Sequence, residues 1–239
     1  MKDRYQKQII LSEIGESGQQ QLSKASVLVI GAGGLGLMVS SYLVAMGIGN
    51  VGICDFDFIE ESNLHRQFYF TPAEIGKSKA TILAEKLRLQ NPSIMIKDFV
   101  EKIDKKTILS IAGDYSIICD CTDQGNSRII INDYCQKNKK SLVHGAVSDW
   151  QGYVTVFHYL NGFNLRDLFD FSDYLKIQSC SDIGISSPVC GLIGSYMANE
   201  TIKIILSFGN TLEGKILHFN TLTNQIRTIN IKKQVATVT

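Results

Sequence analysis

What the chain has little of narrows its class first. Only three of its 239 residues are proline, which excludes long proline-rich linkers. Neither sign of charge dominates: Lys+Arg 24 against Asp+Glu 23 leaves a formal charge of +1. No basic surplus points to nucleic acid, and no acidic excess points to disorder. The opening residues, MKDRYQKQII, mix charges and lack the apolar core of a secretory signal. The six cysteines, Cys54, Cys119, Cys121, Cys135, Cys180 and Cys190, include no C-x-x-C pair. That argues against a zinc ribbon or a thioredoxin-type redox pair, and six are too sparse for a disulfide scaffold. The expectation is a cytoplasmic, reduced protein. Its 44% hydrophobic content over this length predicts a single domain, 1–239, with a sizeable core.

One stretch, 25–54, carries no charge and is long enough to suggest a membrane span. It also holds glycines at 31, 33, 34, 36, 47, 49 and 52, and such a cluster breaks a helix in its middle. The better parse is strand, glycine turn, helix, turn, strand, so no membrane association is expected. Residues 26–30 read as a buried strand. Leu35, Val39, Tyr42, Leu43 and Met46 then recur at helical spacing until Gly47 stops the helix. Residues 51–54 form a second strand ending at Asp55, and 56–70 read as a functional loop. Thr71-Pro72-Ala73-Glu74 has the form of a capping box. A helix follows over 77–90 with Ala80, Leu83, Ala84 and Leu87 on one face. Strands over 94–100, 115–119 and 141–147 alternate with helices over 104–112 and 125–137. This alternation predicts an α/β fold: a Rossmann-like, mostly parallel sheet with helices on both faces.

After Trp150 the pattern changes. An alternating strand over 152–159 places Tyr153, Thr155 and Phe157 on one face. An irregular stretch over 161–185 precedes a long helix over 188–207, striped by Leu192, Ile193, Tyr196, Met197 and Ile204. A hairpin over 215–220 and 225–231 closes the chain, so antiparallel C-terminal strands should extend the sheet.

The residues with chemical potential gather around the glycine turn. G-x-G-x-x-G between a strand and a helix lets backbone N–H groups approach a phosphate at the helix N-terminus. Asp55, 19 residues past Gly36, stands where an acid binds a ribose hydroxyl. By themselves these features indicate an adenine nucleotide. The residues that follow separate a dehydrogenase cofactor from ATP. Asp55-Phe-Asp57, Asn63-Leu-His-Arg66-Gln67 and Gly76-Lys77-Ser78-Lys79 bring two cations and an amide beside the turn, which suits a triphosphate. Asp123, past the fourth strand, adds a carboxylate where Mg²⁺ would bridge phosphate oxygens. By pattern alone Arg66 and Lys79 would pass for surface cations. Asp57 can also be read as a structural acid holding the loop; Asp120 reads as a strand-end structural acid, His65 as a loop residue, and His144 as a satisfied core histidine.

In order along the chain, RYQKQI, GAGGLG, DFDFIEESNLHRQ, IGKSK, CDCTD and SPVCGLIGSYMANETIK resemble the ubiquitin-activating-enzyme-like adenylyltransferases of the ThiF/MoeB/HesA group, over residues 4 to about 231. The resemblance implies ATP and Mg²⁺ as cofactors, a homodimer, and a ubiquitin-like sulfur carrier protein ending Gly-Gly as partner. The carrier's C-terminal carboxylate would attack the α-phosphorus of ATP, giving acyl-adenylate and pyrophosphate, in thiamine or molybdopterin biosynthesis. It implies Asp55 on the ribose, Asn63, Arg66 and Lys79 on the phosphates with Asp57 and Gln67 beside them, and Asp123 on Mg²⁺. Gly31, Gly33, Gly34 and Gly36 would form the phosphate turn. Residues 26–150 would bind nucleotide, and 151–239 the carrier. Cys180 matches a cysteine that some relatives link covalently to the carrier; whether it is catalytic or incidental stays open. Arg66, Lys79, Asp123 and Cys180 complete the implied catalytic set.

Two departures from the family pattern stand out. Lys7 occupies the place of an arginine that reaches into the partner subunit's nucleotide site in relatives, and lysine lacks the bidentate fork. Many relatives also bind zinc through two C-x-x-C pairs, but residues 161–166 and 231–239 here contain no cysteine, so no zinc is expected. Other readings are adenylation of a different carboxylate, such as a ribosomal peptide in antibiotic maturation, and a non-catalytic carrier-binding homologue. A dehydrogenase stands furthest out.

Overall fold

The computed structural model describes residues 2–168 and 184–233. Two short helices, α1 (Lys2–Ile9) and α2 (Gly15–Lys24), lead into β1 (Ser26–Ile30), α3 (Gly34–Met46) and β2 (Asn50–Cys54). Then come α4 (Lys79–Gln90), β3 (Met95–Phe99), α5 (Thr107–Ile111), β4 (Ile117–Asp120), α6 (Gly125–Asn138) and β5 (Ser141–Ser148). The remainder is β6 (Gln151–Phe157), a long helix α7 (Ser187–Leu206), and the hairpin β7 (Lys215–Asn220) and β8 (Gln225–Asn230).

The strands form one eight-stranded sheet in the order β3-β2-β1-β4-β5-β6-β7-β8. Pairs from β3 to β5 are parallel, and those from β5 to β8 are antiparallel. Successive side chains on a strand point to opposite faces, so the sheet serves two cores. Val27, Val29, Val51, Ile53 and Cys119 pack under α3, α4 and α7. Leu28, Ile30, Ile118 and Leu142 pack under α5 and α6. The strand order reverses between β1 and β4, and ligands collect beyond the strand ends at such a point. Among the described residues no helix is long and apolar enough to cross a membrane.

Three local expectations change. Tyr42 does not join the buried stripe of α3 and is 44% exposed. That helix lies between the sheet and α7 and buries Leu37 and Val44 as well, so a one-stripe reading misplaces its faces. On β6, Val154 and Val156 are as buried as Thr155 and Phe157, because both faces are covered. The helix expected over 104–112 begins only at Thr107. The Asp104 carboxylate accepts from the backbone N–H groups of Lys106 (2.6 Å) and Thr107 (2.8 Å), holding a turn ahead of it. The capping box at Thr71–Glu74 forms as expected, but on a single 3₁₀ turn (Pro72–Glu74); Ser78 caps α4.

Candidate functional site

A cleft of about 650 Å³ opens past the carboxyl ends of β1, β2 and β4. Its floor is the glycine turn. Gly31 adopts φ +97, in the left-handed region, and a Cβ there would lie 2.8 Å from the Cys121 carbonyl oxygen. Gly31, Gly33 and Gly34 line the cleft, and α3 points its N-terminus at it. Gly36 does not line it. A Cβ on Gly36 would meet the Gly31 carbonyl oxygen at 1.7 Å, so this glycine lets the helix press against the turn.

Asp55 lines the opposite wall. Its carboxylate accepts from the backbone N–H of Ala32 at 2.6 Å and of Asp57 at 2.8 Å, which ties the end of β2 to the glycine turn. Burial pushes its pKa up, against those two hydrogen bonds. Asn63 and Gln67 are 6% and 2% exposed, and Asn63 Oδ1 and Gln67 Oε1 have no hydrogen-bond partner. Two buried amide oxygens without partners are costly, and both residues line the cleft.

Lys79, at the start of α4, is 7% exposed, and its Nζ lies 3.2 Å from Asp57 Oδ2. It is therefore no surface cation. Arg66 Nη1 donates to the Ser62 carbonyl (3.0 Å) and contacts His65 Nε2 (2.9 Å). The His65 ring in turn meets Ser187 Oγ at the start of α7 (3.2 Å). Asp123 lies on the exposed turn after β4, at the cleft edge. An exposed carboxylate facing a phosphate turn is a hard-oxygen donor of the kind Mg²⁺ takes alongside nucleotide phosphates. Among the described residues, no cluster of three or more His, Cys, Asp or Glu could hold a metal by itself.

Arg128 escaped the sequence reading. It lines the cleft from α6, and its Nε (3.0 Å) and Nη2 (2.7 Å) donate to the Thr122 carbonyl. A lone arginine on a helix gives no signal by spacing, although its partner Thr122 is only six residues back. Cys54, Cys121 and Cys190 also line the cleft. Burial pushes the Cys190 thiol up to about 11 and that of Cys121 well above its ordinary value, so both act as small apolar wall residues. Cys180 lies outside the described residues. Lys7 is exposed on α1. That helix docks through Gln8 onto the Met46 carbonyl, at the far end of α3 from the glycine turn. Lys7 thus has no place in its own chain's cleft. Asp120 and His144 are both wholly buried and bonded to each other, as a structural acid and a satisfied core histidine.

A glycine turn at the switch point of an open α/β sheet, with cations and an acid around it, defines a Rossmann-type nucleotide-binding domain. The chain belongs to the ThiF family, which it matches over residues 5–237. It is 35% identical to the sulfur carrier protein adenylyltransferase of Thermus thermophilus over 237 residues, covering 97% of this chain and 88% of that protein. It is 38% identical to the adenylyltransferase and sulfurtransferase MOCS3 of Xenopus laevis, covering 96% of this chain but 51% of the relative. The chain spans about half the length of the MOCS3 relatives it matches. Among solved structures, that of E. coli MccB with ATP superposes with a TM-score of 0.85 at 21% identity, over 98% of this chain and 73% of that one. The likeness to MccB is one of fold.

Proposed function

We propose that this protein adenylates the C-terminal carboxylate of a ubiquitin-like sulfur carrier protein ending Gly-Gly, using Mg-ATP. The observation that carries the reading is the convergence on one cleft of a glycine turn, two buried amide side chains, the cations Arg66, Lys79 and Arg128, and the exposed carboxylate of Asp123. The carrier supplies its own nucleophile. One carboxylate oxygen attacks the α-phosphorus, the bond from that phosphorus to the bridging oxygen breaks, and pyrophosphate leaves with the electron pair. Acyl-adenylate remains. No protein nucleophile is required, so the chain's work is positioning and charge neutralisation.

Each residue then has a role at a stated atom. The backbone N–H groups of Gly33 and Gly34 at the head of α3 face phosphate oxygens. Asp55 receives the ribose hydroxyls, and the side-chain N–H groups of Asn63 and Gln67 donate to phosphate oxygens. Arg66 and Lys79 offset the negative charge that grows on the leaving pyrophosphate. Asp123, an oxygen donor at the cleft edge, would hold Mg²⁺, which when bound neutralises phosphate charge and fixes the triphosphate for in-line attack. Lys7, remote from its own cleft, would act only across a homodimer. A cytoplasmic setting and a place in thiamine or molybdopterin biosynthesis fit this reading.

Support for a sulfur carrier comes from the Thermus thermophilus relative, whose name states it and whose length this chain nearly spans. A second reading, activation of another carboxylate, has one observation in its favour: MccB, solved with MccA and AMPCPP, shares the fold at a TM-score of 0.85. ATP–pyrophosphate exchange separates the two. Exchange that depends on a Gly-Gly-terminated carrier supports the first reading, and no exchange with any such carrier rejects it.

A further inference from the structure

On the α6 face of the sheet, three neighbouring strands contribute polar side chains that bond in sequence within a largely apolar layer. Asp120 ends β4, His144 stands beside it in register on β5, and Tyr153 lies diagonally across on β6. Asp120 Oδ2 is 2.9 Å from His144 Nδ1, and His144 Nε2 is 3.1 Å from the Tyr153 hydroxyl. Asp120 and His144 are 0% exposed. A buried ion or imidazole without partners would cost several kcal/mol, roughly, so this chain exists only because each member satisfies the next.

The hydrogen-bond roles follow from the chemistry. A carboxylate only accepts, so Nδ1–H donates to Asp120. Burial lowers the His144 pKa and keeps the ring neutral. Nε2 is then an acceptor, and the Tyr153 hydroxyl donates to it. The other oxygen of Asp120 holds Thr122, which lines the cleft. Oδ1 accepts from the Thr122 backbone N–H at 3.0 Å and from the Thr122 hydroxyl at 2.7 Å. The Thr122 carbonyl is gripped from the other side by Arg128. Thr122 is thus held at its N–H, hydroxyl and carbonyl, and the next residue is Asp123.

We propose that Tyr153, His144 and Asp120 are positioning residues that set the Thr122–Asp123 turn for metal-bound nucleotide. They touch no substrate. They act through the backbone of Thr122, with Arg128 closing the grip, and they anchor the turn to β6 in the antiparallel part of the sheet. The inference rests on the reading of Asp123 as the Mg²⁺ residue. Groups that orient a metal-binding carboxylate commonly contribute about 10–100-fold to metal affinity.

The test is calorimetric titration with ATP, with and without MgCl₂, on the whole protein, together with thermal unfolding. His144→Ala should weaken ATP binding in MgCl₂ about tenfold, with metal-free ATP binding altered less than about twofold. His144→Asn, whose amide can donate from nearly the Nδ1 position, should recover most of that loss. Tyr153→Phe removes the hydrogen bond to His144 Nε2 and should weaken Mg-dependent binding about threefold. If His144→Ala does not fold, Tyr153→Phe and Thr122→Val decide. Equal loss with and without metal would mean the three residues only support the fold, and overturns the proposal. So does Mg-dependent affinity that stays intact in the folded variants. Asp123→Ala separates the two claims. If it leaves the Mg²⁺ dependence intact, the assignment of Asp123 fails; if it alone removes that dependence, only the positioning chain fails.

Discussion

The parallel and antiparallel ends of the sheet are built for different tasks. β1, β2 and β4 bury nearly every residue, with burial broken only at the first positions of β1 and β2, whereas β8 is exposed at all six. The parallel end uses that burial to hold strand termini rigid, and the cleft's turns hang from those termini. At the antiparallel edge, β8 presents surface. There the loop that follows β6 is tied down by side chains from elsewhere in the chain. The Glu213 carboxylate accepts from the backbone N–H groups of Tyr159, Leu160, Asn161 and Gly162. Lys233 donates to the Asn161 carbonyl at 2.6 Å and sits 5.4 Å from the centre of the Phe163 ring. The lesson is that the cleft depends on exact placement of a few atoms, while the far end needs only that its loop and tail stay together.

Substitutions at the two ends should therefore fail differently. The largest effect is expected at Asp123. Asp123→Ala should lower carrier-dependent exchange by about 10²–10³-fold, the scale of losing a main electrostatic stabiliser, with thermal stability unchanged. Near-normal exchange would remove Asp123 from the site. Next comes Gly36→Ala, whose methyl has no room beside the Gly31 carbonyl. It should cost about 1–3 kcal/mol in denaturant unfolding and lose ATP binding with it. A variant of full stability would show that the turn and helix are not pressed together.

At the other end, Glu213→Gln weakens charge-assisted hydrogen bonds without emptying the position. About 1 kcal/mol of stability should be lost, with ATP affinity unaltered; loss of ATP binding would break the division between the two ends. Lys233→Ala should be smallest, about 0.5–1 kcal/mol, as suits an exposed cation over a half-buried ring. Metal analysis sharpens the same contrast: stoichiometric zinc in the purified protein would mean that this end is held by something other than Glu213 and Lys233.

Much of the cleft was legible because its signals are local. Val27 to Ile30, the glycines and Asp55 sit within one strand-turn-helix-strand unit, where spacing alone dictates the geometry. Asn63, Arg66, Gln67 and Lys79 stood out through motif context, and the buried position of Lys79 answers the surface-cation alternative. Arg128 and Tyr153 were not legible. Arg128 meets Thr122 six residues back across a loop-to-helix junction, and Tyr153 meets His144 nine residues back across one strand pair, and no periodicity marks either. Tyr42 was misread because a helix packed on two sides has no single stripe.

The central claim is that the substrate's own carboxylate attacks the α-phosphorus of ATP in this cleft. Its most direct test uses a Gly-Gly-terminated carrier whose C-terminal carboxylate is enriched in heavy oxygen, incubated with the protein, ATP and MgCl₂. The adenylate is then left to hydrolyse, and the nucleotide is read by mass spectrometry. The account predicts AMP carrying one labelled oxygen, and pyrophosphate carrying none. Unlabelled AMP, or ADP with the label in inorganic phosphate, would contradict it.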